Sequence, residues 1–470
     1  MKKKIYLFTI VLILFGLINN ASAQHTNLFD FSSMASGSEP YGSLISDGTF
    51  LYGMTLQGGI NNMGTIFKIM PDGSGYIKLL DFAGAANGNN PYGSLISDGT
   101  FLYGMTRQGG INDLGTLFKI MPDGSGYVKL LDFAGAANGN NPYGSLISDG
   151  TFLYGMTFFG GINDIGGLGT LFKIMPDGSG YVKLLDFAGA ANGSNPNGSL
   201  ISDGTFLYGM TSQGGINNMG TIFKIMPDGS GYIKLLDFAG AANGSNPTGS
   251  LITDGTFLYG MTGDEGIVGL GTLFKIMPDG SGYIKLLDFA GAANGSNPTG
   301  SLITDGTFLY GMTTLGGLFN LGTVFKVMPD GSGYVKLLDF AGAANGRNPY
   351  GDLISDGTFL YGMTTFGGVN DMGTIFKFGD AVGIVENNLQ ANISIYPNPS
   401  SGKFQFVING LPFIENHTVE IYDMLGEKIY AATINSDKTE IDLNNPANGI
   451  YFVNISNGIN TYSGKIIIEQ

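Results

Sequence analysis

Pro40-Tyr41-Gly42-Ser43-Leu44-Ile45-Ser46-Asp47-Gly48-Thr49-Phe50-Leu51-Tyr52-Gly53-Met54-Thr55 decides the fold, because near copies of it return six times further along the chain. The copies are headed by Pro40, Pro91, Pro142, Pro196, Pro247, Pro298 and Pro349, 51 residues apart except for one step of 54, where Gly166 to Leu168 read as an insertion. A fixed period near 50 residues marks a repeat architecture in which each unit is one supersecondary element. The period also restricts function. Near-identical units cannot by themselves build an asymmetric centre, so a unique site must come from positions where the copies differ.

Each unit reads as four short strands. In the first copy, Ser43 to Ser46 is strand a, and Asp47-Gly48 is a two-residue hairpin signal. Thr49 to Thr55 is strand b, Leu56 to Met63 a variable glycine-rich loop, and Gly64 to Met70 strand c. Pro71-Asp72-Gly73-Ser74-Gly75 is a second turn, with Pro setting φ and Gly accepting the left-handed region. Tyr76 to Phe82 is strand d, outermost because it carries Lys78 and Asp81. Strands b and c carry apolar groups on both faces, as strands covered on both sides do. Stacked four-stranded units of this length are propeller blades. The d-type sequence Leu28-Phe29-Asp30-Phe31 precedes the first strand a, and the last unit stops after its strand c, Gly373 to Phe378. That offset predicts an all-β, seven-bladed β-propeller closed by the N-terminal strand, which hides open sheet edges. The alternative, a linear solenoid, would carry atypical capping repeats.

Composition bounds what such a protein does. Glycine, 79 residues of 470, recurs at fixed repeat positions and argues for turns rather than disorder. Lys2 to Lys4, the apolar Ile5 to Ile18 and Ala21-Ser22-Ala23 form a signal-peptide pattern over residues 1–23, with no transmembrane segment expected in the mature chain. Removing three lysines takes the formal charge from −15 to −18, which disfavours nucleic acid as a partner. The chain has no cysteine, so disulfides and thiol chemistry are excluded.

Two resemblances add to this. The core Leu-Tyr-Gly-Met-Thr…Gly-Gly…Gly-Thr-Ile-Phe-Lys resembles the bacterial GloVer tandem-repeat family over about 350 residues, with Met where that family commonly has Thr. The resemblance implies no particular activity. The tail, with Ile393-Ser394-Ile395-Tyr396-Pro397-Asn398-Pro399, Gly402-Lys403-Phe404, Ile421-Tyr422-Asp423-Met424-Leu425-Gly426 and Gly464-Lys465-Ile466-Ile467-Ile468, resembles the C-terminal sorting domain (type A) of type IX secretion substrates in the Bacteroidetes. It implies export through secretion machinery, often with attachment at the cell surface. The tail's own alternating pattern reads as a small Ig-like β-sandwich. The resulting layout is 1–23 signal peptide, 24–378 propeller, 379–390 linker and 391–470 sorting domain.

Candidate chemistry is sparse. The two histidines, His25 and His417, lie at the mature N-terminus and in the tail, so the repeats hold none for a triad, a general base or a metal site. No cofactor is expected. The aspartates of the Asp-Gly turns are explained by turn chemistry, the Pro-Asp-Gly-Ser-Gly turn lacks the oxygen ligands of a calcium loop, and no phosphate loop is present. The copies differ at the b–c loop and at the d–a crossing, which emerge on one face of a propeller, and varied loops on a rigid scaffold are where binding resides. There the sequence places Tyr41, Tyr92, Tyr143, Tyr350, Phe158 and Phe159, expected to be exposed, with the chain's two arginines, Arg107 and Arg347, and the carboxylates Asp264 and Glu265. Aromatic faces beside polar groups suit a glycan, and a protein partner is the other option. Divergence of unconstrained loops after duplication would produce the same variation. The leading expectation is a secreted or surface-attached, non-catalytic propeller. The rivals are a structural spacer without a ligand, and a polysaccharide-degrading enzyme using Asp264 and Glu265.

Overall fold

The computed structural model describes residues 25–162, 167–379, 392–396, 400–409, 417–422, 428–434, 438–443, 446–456 and 461–468. The expected signal peptide, and the linker beyond Gly379, lie outside the described residues. Contacts divide the chain into two units, Met1–Val382 and Gly383–Gln470.

The first unit is a seven-bladed β-propeller. Blade 1 consists of strands a (Ile45–Ser46), b (Leu51–Thr55), c (Thr65–Ile69) and d (Ile77–Asp81), hydrogen-bonded in that order. Five more blades repeat the arrangement. The seventh sheet contains Ile354–Ser355, Phe359–Thr364, Thr374–Gly379 and, as its outer strand, His25–Asp30, with His25 opposite Phe378 and Asp30 opposite Thr374. Its strand c runs to Gly379, one residue past the expected boundary, because Gly379 pairs with Phe359.

Strand b is buried at every position, since each blade is covered on both sides. Tyr52, Met54 and Ile66 pack with Leu95, Leu102, Phe118 and Ile120 of the following blade. Leu44, Leu51, Phe67 and Ile69 pack with Tyr361, Met363 and Ile375 of the preceding one. Each fully buried side chain of this size contributes about 1.5–3 kcal/mol, so the interfaces between blades, rather than the sheets alone, hold the ring.

Two local readings are corrected. The a–b connection is a four-residue loop, Asp47–Phe50, not a two-residue hairpin: Ser46 pairs with Leu51, and Asp47 Oδ1 accepts the N–H groups of both Thr49 and Phe50 at 2.7 Å. The inserted residues of blade 3 lie ahead of Leu168 rather than including it. Leu168 packs against the blade core as Met63 and Leu114 do in their blades, and its carbonyl accepts from Asn195 N as that of Met63 does from Asn90 N.

At the axis the seven strands a come so close that only glycine fits. A Cβ on Gly42 would collide with the carbonyl of Gly93, and the collision repeats through Gly144, Gly198, Gly249, Gly300 and Gly351 back to Gly42. The next residue of each blade completes a ring of hydrogen bonds. The N–H of Ser43 donates to Ser94 Oγ, and the pattern continues through Ser145, Ser199, Ser250 and Ser301 at 2.7–2.8 Å. Ser301 N then donates to Asp352 Oδ1, and Asp352 N donates to Ser43 Oγ.

The second unit is a small β domain of two antiparallel sheets. One holds Asn392–Tyr396, Lys403–Asn409 and Lys438–Asp442; the other holds Lys428–Ile434, His417–Tyr422, Gly449–Ser456 and Thr461–Ile468. Phe404 and Ile441 of the first and Val419, Ile421, Tyr451, Val453, Ile466 and Ile468 of the second share one core, as in a sandwich. Among the described residues no helix is long and apolar enough to cross a membrane.

Candidate functional site at the channel mouth

The d–a crossing aims one variable residue per blade at the axis. In blade 2, Asn90 sits in the left-handed region (φ 52°) and its Nδ2 donates to Leu56 O at 2.8 Å. Pro91 then fixes the chain direction, and Tyr92 projects over the Gly-Ser ring. Its counterparts are Tyr41, Tyr143, Asn197, Thr248, Thr299 and Tyr350, and together with the ring they line a cavity of ≈ 170 Å³.

The wall of this cavity is divided. Around one half, tyrosine ring centroids follow one another at 4.6 Å (Tyr350–Tyr41), 4.8 Å (Tyr41–Tyr92) and 4.7 Å (Tyr92–Tyr143), and behind the lining two phenylalanines continue the stack at 4.6 Å (Tyr143–Phe158) and 4.6 Å (Phe158–Phe159). The other half is hydroxyl and amide. Thr299 Oγ1 lies 2.7 Å from Thr314 Oγ1, and Thr248 Oγ1 reaches the carbonyls of Pro298 and Thr299. The tyrosines are half-buried against one another, not exposed as the sequence suggests, because neighbouring blades bring them to one axis.

Their hydroxyls are the unusual feature. Seven tyrosines of the Tyr52 type donate to an aspartate of their own a–b turn, and six of the Tyr76 type donate to a backbone carbonyl. Tyr41, Tyr92, Tyr143 and Tyr350 have no hydrogen-bond partner for theirs among the described residues, and none of these oxygens is enclosed by protein, so they open to the solvent of the channel mouth. Burial raises the pKa of Tyr41 to about 12, with Tyr350 and Glu39 adding to it and Arg107 opposing, and burial likewise raises Tyr92 and Tyr350. These phenols are therefore protonated donors at neutral pH.

The structure separates the two arginines. Arg107 Cζ lies 5.2 Å from the Tyr143 ring centroid, and its Nε is buried without a hydrogen-bond partner. No carboxylate of the described residues pairs with it. Arg347, by contrast, is committed: Nε and Nη2 bind Asp371 at 3.1 and 3.0 Å, and Cζ lies 4.7 Å from the Phe366 ring centroid. Neither arginine is itself among the residues lining the cavity, but Arg107 lies against Tyr143, which is. Asp264 and Glu265 do not form a working pair. Asp264 accepts from Asn246 and Asn297 at 2.9 and 3.1 Å, while Glu265 is exposed, with a φ of 61°. His25 pairs in the outer strand of blade 7 and stacks on Phe376 at 5.6 Å, outside the cavity lining.

Sequence reasoning passed over Asp352, the one carboxylate lining the cavity. Its signal was present, since it stands where six copies have serine. Part of its surface meets the channel, but protein encloses the carboxyl, and burial raises its pKa against the lowering hydrogen bonds from Ser301 and Ser43. Among the described residues no three His, Asp or Glu side chains are grouped as metal ligands.

This geometry defines a class: a repeat propeller with an aromatic-walled pocket at one end of its central channel. The chain belongs to the Gloeobacter/Verrucomicrobia repeat family, which matches residues 14–168, 147–307 and 253–391. Residues 394–469 match the secretion system C-terminal sorting domain, so this is a protein exported to the cell surface by the type IX route. A search of curated proteins returned no match. Among solved structures, the extracellular domain of a putative hybrid two-component system from B. thetaiotaomicron is similar at 14% identity and a TM-score of 0.50, over 96% of this chain and 59% of that one. PorZ, a surface component of the type IX secretion system of Porphyromonas gingivalis, is similar at 14% identity and 0.46, over 94% and 61%. A GH74 enzyme of Niastella koreensis is similar at 14% identity and 0.48, over 95% and 74%. The chain spans about three fifths of the first two, and likenesses at this identity concern the fold alone.

Proposed function

We propose that the propeller is a non-catalytic binding module, displayed outside the cell, that holds a glycan in the channel mouth. Residues 1–23 serve as the export leader, and the sorting domain engages the secretion machinery. The observation that carries the reading is the set of four tyrosine hydroxyls left unbonded on an arc of packed rings. Such rings offer flat apolar faces to the C–H surface of a sugar, and their hydroxyls, with Asn197, Thr248 and Thr299 opposite, offer hydrogen bonds to its hydroxyls. The ≈ 170 Å³ cavity is below the ~300–1,000 Å³ of drug-sized pockets, which suits one sugar ring or a chain end rather than a long polymer.

A non-catalytic role is supported by the carboxylates. Glycoside hydrolysis needs two of them flanking the bond, about 5–9.5 Å apart, and Asp352 stands alone in the lining. The test is a glycan array probed with full-length protein, wild type beside a Tyr41→Ala, Tyr92→Ala, Tyr143→Ala variant. Binding that disappears in a variant with an unchanged melting temperature supports the mouth as the site. Binding that survives, or saccharide hydrolysis by the wild type, overturns the reading.

A further inference from the structure

The geometry points to an acidic saccharide: the mouth takes a sugar whose carboxylate is bound by the planar fork of Arg107. This rests on the reading of the mouth as a saccharide site and names the class of sugar.

Three observations carry it. Arg107, set behind the lining against Tyr143 and near enough to Tyr41 and Tyr92 to act on their charge, pairs with no carboxylate of the described residues, whereas Arg347 spends two nitrogens on Asp371. Glu39, which shares Tyr41 as a neighbour with Arg107, accepts from Gln57 Nε2 at 3.0 Å and is raised in pKa by burial. Second, Arg107 Nε is buried with nothing to donate to. Enclosed by protein, Nε is out of a ligand's reach, so the edge of the guanidinium open to a ligand oxygen is that of Nη1 and Nη2, neither of which is a buried orphan. Third, the guanidinium rests on a packed surface, its Cζ 5.2 Å from the Tyr143 ring centroid, and Tyr143 in turn packs between Tyr92 and Phe158. A fixed planar fork matches a carboxylate through two parallel N–H···O bonds, and fixing it beforehand reduces the ordering lost on binding. A uronic-acid ring also carries the apolar C–H face and the hydroxyls that Tyr92 and Tyr143 can meet.

The chain's net charge of −15 works against long polyanions. Its field repels an incoming acid at distance, while Arg107 attracts at contact. A short acidic oligomer or a chain end therefore binds better, per site, than the intact polymer.

The experiment is calorimetric titration of the full-length protein with trigalacturonate, with the same trimer after reduction of its carboxyl groups, and with a sulfated neutral trimer. Wild type is expected to favour trigalacturonate over the reduced trimer by at least tenfold. Arg107→Ala should erase that preference with little effect on the reduced trimer, and Arg107→Lys should keep part of it. Equal affinity of the wild type for the acid and the reduced trimer overturns the inference and leaves the saccharide reading standing. So does an Arg107→Ala variant that weakens both ligands alike. A sulfated trimer that matches trigalacturonate overturns the carboxylate assignment in favour of a general anion. Failure of all three to bind overturns both readings. Melting curves of each variant separate these outcomes from misfolding.

Discussion

The two ends of the propeller use the same residue types for opposite purposes. At the a–b turn end, Asp203 Oδ1 accepts from Thr205 N and Phe206 N, and Oδ2 accepts from Tyr208 Oη, at 2.7–2.8 Å. The arrangement recurs in every blade. At the mouth, four tyrosines leave their hydroxyls unbonded, and the single aspartate, Asp352, is held in a ring of serines. Tyrosine hydroxyls are spent on the scaffold where the copies agree and left without a protein partner where they diverge, while the aspartates are held by hydrogen bonds at both ends. The lesson is that the sign of a site in a repeat protein is an unspent hydrogen bond rather than an unusual residue.

The comparison can be broken by pH first. Burial raises the carboxyls of Asp47, Asp98, Asp149, Asp203, Asp254 and Asp356, but the hydrogen bonds from the turn N–H groups and the tyrosine outweigh it and hold them below the ordinary 3.8. A folded value below the unfolded one gives stability that is present above that ordinary value and is lost as pH falls through the folded value. Denaturant melts should therefore show a collective loss of stability below about pH 4. A flat profile from pH 6 to 3 would remove the turn-end account.

Next in size is Asp203→Ala, which strips an ionic acceptor from two backbone donors and one phenol. Discounted for solvent screening, the expected cost is about 1–2 kcal/mol in chemical denaturation. A paired substitution then sharpens the contrast. Tyr208→Phe should cost about 1 kcal/mol, because Asp203 loses a donor, whereas Tyr92→Phe should stay within about 0.5 kcal/mol and weaken ligand binding instead. Equal stability losses at the two positions would mean that the mouth hydroxyls are not free.

Asp352 has the opposite sign from the turn aspartates. Its folded pKa is raised, so its cost is absent in acid and grows as pH rises from 3.8 through the folded value. Asp352→Ser, which restores the repeat, should stabilise by roughly 1 kcal/mol at pH 7 and by nothing measurable at pH 3. Stabilisation of the same size at both pH values would show that the gain comes from packing and not from charge.

Much of this molecule was open to reading in one dimension. The 51-residue period, the four strands per unit, the outer position of Lys78 and Asp81, and the split of one blade between the two ends of the repeat region all follow from local pattern, since strand alternation and turn chemistry act over a few residues. The tail's motifs were likewise contiguous. The variable positions were legible as a set, but their environments were not. Tyr41 lies 309 residues from Tyr350, yet their rings are 4.6 Å apart, and no local rule distinguishes the committed Arg347 from the unpaired Arg107. Asp352 was a visible departure from serine whose meaning depends on a ring of hydrogen bonds drawn from seven blades. Sequence by itself determined the repeat, its blades and the motifs of its sorting domain, because those are sums of short-range preferences. Which side chains have partners and which remain free was decided only by the tertiary structure, because those partners arrive from neighbouring blades when the ring closes.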